Sequence, residues 1–370
     1  MALILTGTSS STTLDSSAGL TFSDSSNQSA AASPYGLKNR IINGDMVIDQ
    51  RNAGASFAGG GYSLDRWLSG LSTNAWTSQR STNAPAGFVN SLLVTVTTPQ
   101  APGATNLAYY SQKIEGFNIA DLNFGTANAA TVTLSFWVRS SVTGTFSIAL
   151  LNGSQNRSYV ATYTINAANT WEKETITITG DTAGTWNTNN TAGLEVFFDL
   201  GSGSNFQATA GSWQAGTFLR TSGSSNFANT SGATFYITGV QLERNTTATP
   251  FEWLPYGMEL MLCQRYYAKL TSASGNFVGH GSGYVVSSTS SNAWIKYPTT
   301  MRAAPTLAVS GLAITDGNAN YSITSFGSIY YGYDGLLATF VNSSGATAFR
   351  PILVIANNNT TGYVEIAAEL

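Results

Sequence analysis

Three observations predict an all-β protein. Charged residues are only 9% of the 370 residues, well below the usual quarter. The polar remainder is dominated by Ser, Thr, Asn and Gly, with 37 glycines; short polar side chains compete for backbone hydrogen bonds and favour turns and strands over helices. Alternation of apolar and polar residues with period 2 recurs along the chain and marks strands with one buried face. Hydrophobic residues at 42% and aromatics at 12% can build cores, and the length suits two or three domains. The expected order is an extended N-terminal arm (1–38), a jelly-roll β-sandwich (39–250), a connector with a short helix (251–271) and a small C-terminal β-sandwich (272–370).

Residues 1–38 are Ser/Thr/Ala-rich and poor in aromatics, with Leu3, Ile4, Leu5, Leu14, Leu20 and Phe22 scattered. Such a segment cannot bury enough apolar area alone, so it is disordered or pairs with other chains. The jelly roll is expected to open on a strand at Ile41–Ile48. Its clearest alternating segments are Leu92-Val94-Val96, Val132–Val138, Phe146–Leu150, Tyr159–Ile165, Thr175–Thr179, Leu194–Phe198 and Phe235–Val240. Turn signals at Asn152-Gly153, Ala183-Gly184 and Ser202-Gly203 separate several of them. About eight antiparallel strands over roughly 200 residues fit a two-sheet jelly roll.

In the connector, Met258–Tyr267 contains helix formers and a Leu260/Cys263/Tyr267 stripe. A helix this short needs a neighbouring domain or another subunit to cover that stripe. The unmet needs of arm and helix together are a physical reason to expect a homotrimer. Beyond it, strands are expected around Tyr284–Val286, Ala293–Tyr297, Thr306–Val309, Ile323–Phe326, Leu337–Val341 and Tyr363–Ile366. Pro298, Pro305 and Pro351 suit edges or loop starts.

Several function classes find no support. A net charge of −3 gives no basic nucleic-acid footprint. No apolar run approaches the roughly 20 residues of a membrane span. The start, MALILTGTSSSTTLDSS, lacks a basic n-region and reads as no secretion signal. Cys263 is the single cysteine, so no internal disulfide forms; folding in a bacterial cytoplasm and release by lysis would suit that. His280 is the single histidine, in Gly279-His280-Gly281-Ser282-Gly283, which lacks nucleophile-elbow spacing. Glycosidase chemistry needs two carboxylates; Asp65, Asp121, Asp181 and Asp199 are candidates that nothing in the sequence pairs. Glu172-Lys173-Glu174 reads as a solvated strand face.

An uncharged, hydroxyl- and amide-rich surface suits hydrogen bonding to neutral polar ligands such as sugars; β-propensity with solubility explains it equally well. Sugar recognition uses exposed rings with amides fixing hydroxyls. Tyr330, Tyr331 and Tyr333 with Asp334 form a Tyr/Gly loop, and Trp186 and Trp213, with Trp76 and Tyr62, lie beside polar residues. Such rings offer contact area at small entropy cost. Trp67, Trp137 and Trp171 sit in strand-like patterns and read as core, and Asp65-Arg66 reads as a structural ion pair.

Four segments carry a family resemblance. LKNRIINGDMVIDQRNAG (37–54) with YSLDRW (62–67) resembles the opening of a domain common in bacteriophage tail and fibre proteins. TFYITGVQLERNTTATPFEW (234–253), LPYGMELMLCQRYY (254–267) and IKYPTTMRAAPTLAVSG (295–311) resemble its closing strand, its connector and a strand of the terminal β domain. The N-terminal MALILTGTSSSTTLDSSAGLTFSDSS resembles the attachment arm of such proteins from cyanobacterial phages. The resemblance implies a trimeric, non-enzymatic virion protein, made in the host bacterial cytoplasm and exposed outside cells. Its arm, residues 1–38, would dock to other virion proteins, and the chain would bind a host-surface glycan. No nucleic acid or membrane insertion is implied. The central domain also resembles jelly-roll carbohydrate-binding modules, some of which hold a structural calcium between first and last strands. Asp45 and Glu243 would be its ligands here, although Thr238-Gly239 stands where such modules often carry paired aspartates. No other cofactor is implied. The alternatives are a purely structural virion protein, such as a capsid decoration or collar fibre, and a polysaccharide depolymerase.

Overall fold

Alternation decides which side chains meet: in Val132–Ser140, Leu134, Phe136 and Val138 are buried, and in Ala192–Asp199 the same holds for Leu194, Val196 and Phe198. The computed structural model describes residues 37–72, 76–272 and 277–370, together with the paired two-residue strands Leu20–Thr21 and Asn27–Gln28. The chain divides into two compact units, Met1–Lys38 and Asn39–Leu370. The expected arm, apart from its strand pair and Leu37-Lys38, lies outside the described residues.

Among its described residues the second unit is all β but for one α-helix and four short 3-10 turns. Its first part is a jelly-roll sandwich. One sheet orders Trp213–Ala215, Arg157–Ile165, Gly144–Asn152, Ala192–Asp199, Ala108–Glu115, Trp67–Leu71 and Gly61–Leu64. The other orders Glu172–Ile178, Val132–Ser140, Thr234–Glu243, Ser91–Val96, Trp76–Ser81 and Phe57–Ala58. Aromatic contacts cross between them: Phe136 meets Phe198 edge-on at 5.0 Å and Tyr163 edge-on at 5.1 Å. The alternating segments therefore form strands, but Gly144–Asn152 and Ala192–Asp199 are buried on both faces rather than one, the outer face lying in a second cluster of Ala149, Leu151, Val160, Phe197 and Leu219. Trp67 is core, as expected. Trp137 and Trp171 are not: both are half-buried outside the core, Trp137 because its neighbours Phe136 and Val138 take the inward phase.

The expected strand at Ile41–Ile48 is instead a buried irregular segment with a turn at Gly44-Asp45. Asn43 and Met46 adopt positive φ, 57° and 62°. Side chains satisfy its backbone in place of a ladder. Gln112 accepts from Ile42 N–H and donates to its carbonyl, each at 2.8 Å. Asn43 Nδ2 donates to Ile48 and Asp65 carbonyls, and Trp67 Nε1 donates to the Asn43 carbonyl at 2.9 Å. A side chain at Gly44 would collide with the Val240 carbonyl.

The helix spans Tyr256–Gln264, and Tyr267 opens the strand Tyr267–Thr271 rather than ending the helix. Cys263 and Tyr266 are buried against Ile42 and Ile48, with Leu260 at the margin. The chain's own jelly roll thus covers the apolar stripe, so the helix core gives no reason for extra subunits.

The C-terminal part is smaller and β, and closes further than a sandwich. Gly279–Ser287, Ser290–Lys296, Gly335–Asn342, Asn320–Tyr331, Ala313–Thr315 and Pro351–Ile355 form a closed six-stranded barrel. Tyr267–Thr271, Tyr363–Ala367 and Thr306–Ser310 form a sheet sharing its core. Glycine permits the closure: Gly281 and Gly283 take inward positions where a Cβ would strike Ile295 Cδ1 at 2.5 Å and the Asn292 carbonyl respectively. The Gly-His-Gly-Ser-Gly run is therefore a tightly curved strand. His280 is buried in it, its Nε2 2.8 Å from Ser272 Oγ.

Candidate functional site

The outer wall of the barrel carries the candidate site. In Ser290–Lys296, Ser291, Ala293 and Ile295 point inward, which sends Asn292, Trp294 and Lys296 outward. Register then sets one row across five strands: Leu353 beside Ser282, Ser282 beside Trp294, Trp294 beside Leu337, and Leu337 beside Tyr330. Trp294 is 38% exposed and Tyr330 62%. The Trp294 indole lies against the backbone of the turn that joins Tyr331 to Gly335. A Cβ at Gly332 would sit 2.5 Å from its Cη2, and one at Gly335 2.6 Å from its Cε2. The glycines of the Tyr/Gly loop thus pin the ring while leaving it partly open to solvent. A polar row runs alongside: Thr339 Oγ1 donates to Asn292 Oδ1 at 2.8 Å, and Asn292 Nδ2 donates to Tyr284 Oη at 3.2 Å. An apolar ring beside a ladder of hydroxyl and amide groups can stack on a pyranose face and bond its hydroxyls.

Tyr333 is 85% exposed at the loop tip, and Tyr331 and Asp334 are exposed too, the Asp334 carbonyl accepting from Tyr297 N–H at 2.9 Å. The structure thus brings Tyr330, Tyr331, Tyr333 and Asp334 to one end of the barrel. Trp294 and Tyr284 were missed as site residues. The available signal was phase, since Trp294 alternates with the apolar pair Ala293 and Ile295.

Trp186 and Trp213 are elsewhere and are not free platforms. Trp186 is buried, edge-on to Phe124 at 4.8 Å and to Trp213 at 5.4 Å, and its Nε1 donates to the Ala183 carbonyl. Trp213 is half-buried on Tyr159, its Nε1 donating to the Thr179 carbonyl at 2.7 Å. Together they cap the sandwich core with rings. Trp76 is also core, stacked on Tyr110, and Tyr62 is half-buried with its hydroxyl on the Leu370 carbonyl.

Of the two suggested calcium ligands Glu243 is engaged by its neighbours, whereas Asp45 Oδ1 is buried without a hydrogen-bond partner among the described residues. Glu243 accepts from Gln241 Nε2, Thr249 N–H and Thr249 Oγ1. Asp45 shares its surroundings with Glu259, and burial raises the pKa of both. Among the described residues no group of three or more His, Cys, Asp or Glu could hold a metal ion.

The four carboxylates weighed for hydrolysis each have a structural partner. Asp181 takes Arg157 bidentately at 2.8 and 2.6 Å, Asp121 takes Arg40, and Asp199 takes Arg220. Asp65 accepts from Gln50 N–H and Nε2, each at 2.7 Å, and does not pair with Arg66. Arg66 is buried against Glu369 instead.

A scan against family models and a search of curated proteins each gave no match. Among solved structures the chain is similar to the enzymatically active domain of tailspike protein 4 from Bacteriophage CBA120, at 15% identity over 56% of this chain and 21% of that one, TM-score 0.30. It is also similar to a CBM4 structure, at 16% identity over 55% and 98%, TM-score 0.28. TmCBM61 in complex with β-1,4-galactotriose follows, at 10% identity over 56% and 99%, TM-score 0.29. The chain thus spans about a fifth of the tailspike chain. With TM-scores this low, the jelly-roll description rests on the chain's own strand order.

Proposed function

We propose that this chain is a non-enzymatic bacteriophage appendage protein that binds a host-surface glycan through the outer wall of its C-terminal barrel. One observation carries the reading: the outward row Leu353, Ser282, Trp294, Leu337 and Tyr330, exposed except for half-buried Leu337, with the Tyr284–Asn292–Thr339 polar row beside it. The partnered state of Asp65, Asp121, Asp181 and Asp199 supports a binding role over a depolymerase. The single buried Cys263 suits a protein made in the bacterial cytoplasm and carried on the virion. In this reading residues 1–38 dock to other virion proteins and the chain forms a homotrimer. Exposed Met258 and Met261, on the helix side away from Cys263, and exposed Trp253 and Tyr256 at its start support self-association.

The test measures adsorption of the full chain to host cells and a glycan array. Trp294→Ala and Tyr330→Ala are expected to weaken binding roughly tenfold each, the cost of truncating an aromatic anchor, with the melting temperature held. Binding unaltered in both variants, or no adsorption by the wild type, refutes the site. Light-scattering mass checks the trimer, and a monomeric mass for the intact chain counts against it.

A further inference from the structure

A second ring-bearing surface lies on different strands, the outer face of the six-stranded sheet. There the register sets Trp137 between Lys173 and Thr238, and Arg139 beside Tyr236. Trp171, just before Glu172–Ile178, meets Tyr236 at 6.0 Å and 64°. The rows of Trp137 and Tyr236 are two residues apart, roughly 7 Å. All three rings are half-buried, with part of each surface in solvent.

The charges on this face are one-sided. The Arg139 guanidinium lies 5.0 Å from the Tyr236 ring centroid, and its Nε donates to the Asn169 carbonyl at 2.8 Å. Lys173 is exposed beside Trp137. Among the described residues neither cation forms an ion pair. The adjacent carboxylates do not neutralise them. Glu172 and Glu174 occupy the opposite phase of the strand; Glu172 accepts from Asn166 and Ala167 N–H, and Glu174 lies toward Tyr163. Glu243, on the same face, is filled by Gln241 and Thr249.

We propose that this face binds an anionic polysaccharide of the polyuronate type. The apolar faces of its sugars lie on Trp137 and on the Trp171–Tyr236 pair, and their carboxylates reach Lys173 and Arg139. The guanidinium offers two free nitrogens in a fork that matches a carboxylate. Two unpaired cations in a chain of net charge −3 make this a local device rather than a general basic footprint. The Phe88 ring extends the platform over Gly239 toward Trp253, 4.8 Å away.

The experiment is affinity electrophoresis of the full chain through gels containing polygalacturonate, alginate, amylopectin or single-stranded DNA. Retardation by a polyuronate but not by amylopectin is expected, and it weakens at roughly 0.5 M NaCl as screening shortens the reach of the cations. Lys173→Ala, an exposed change that leaves the fold intact, and Trp137→Ala are each expected to weaken retention roughly tenfold. Three results overturn the proposal: unaltered migration in both polyuronate gels, retention that survives the Lys173→Ala/Arg139→Ala double variant, or retention by DNA alone. Because the variants lie on the jelly roll and the barrel test reads Trp294 and Tyr330 on cells, the two sites fail separately.

Discussion

Glu259 sits in the first turn of the helix, where burial, Asp45 and Glu252 raise its pKa to about 7 while the Asn43 N–H it accepts lowers it. Asp65, buried and held by Gln50, is raised to about 6. Both shifts go upward, so the folded protein binds protons more tightly than the unfolded chain. Their contribution to stability is complete below about pH 4 and is lost as pH rises through 6 and 7. Stability should therefore fall between pH 5 and 8. Glu259→Gln keeps an acceptor for Asn43 without the charge, and should reduce that fall by on the order of 1–3 kcal/mol. Urea midpoints at both pH values check it; an identical fall in the variant contradicts the assignment. The carboxylate is visible in the sequence, but its burial is not, since only the fold brings Asn43 against it.

At the scale of elements, the strand Thr234–Glu243 runs between Val132–Ser140 and Ser91–Val96, with its register broken between Thr238 and Gln241. Gly239 makes the break, with φ of 60° and Phe88 and Trp137 closing over it; a Cβ there would sit 2.6 Å from Phe88 Cζ. Gly239→Ala should cost about 1–3 kcal/mol, from left-handed backbone strain and overpacking together. A denaturant midpoint equal to wild type would show that the bulge relaxes. The strands themselves were readable because alternation survives in one dimension. Their outward aromatics were harder: Trp137 and Trp294 sit inside apolar runs, and hydrophobicity alone does not say which phase faces water. The buried turn at Ile41–Ile48 escaped for another reason: its apolar residues imitate a strand, while side chains of Gln112, Asn43 and Trp67 supply the hydrogen bonds.

Across the whole second unit, the jelly roll, helix and barrel are joined by a polar core. Arg265 grips buried Glu115 bidentately at 2.9 and 2.7 Å, and Tyr266 Oη donates to the same carboxylate at 2.8 Å. Arg66 and Arg51 converge on Glu369, and Arg302 donates to the Asn190, Ala368 and Glu369 carbonyls. Loss of one partner of a buried pair strands the other charge, so Arg265→Ala should cost about 3 kcal/mol. Calorimetry should show one cooperative transition in the wild type and an earlier, divided one in the variant. A single unshifted transition would mean the joint contributes nothing. The rigid joint also fixes the barrel wall relative to the outer face of the jelly roll.

Composition and period-2 patterning by themselves determined an all-β chain, the strand-rich body before the connector, the smaller one after it, and the short helix between them. These follow from local preferences that each residue carries regardless of its neighbours in space. Tertiary structure alone decided that the C-terminal strands close into a barrel, that Trp186 and Trp213 cap a core while Trp137, Trp171 and Trp294 face outward, and that the helix stripe is covered by its own chain. Those outcomes depend on strand phase, glycine clearance and the pairing of distant charges, such as Glu115 with Arg265, which no window of sequence contains.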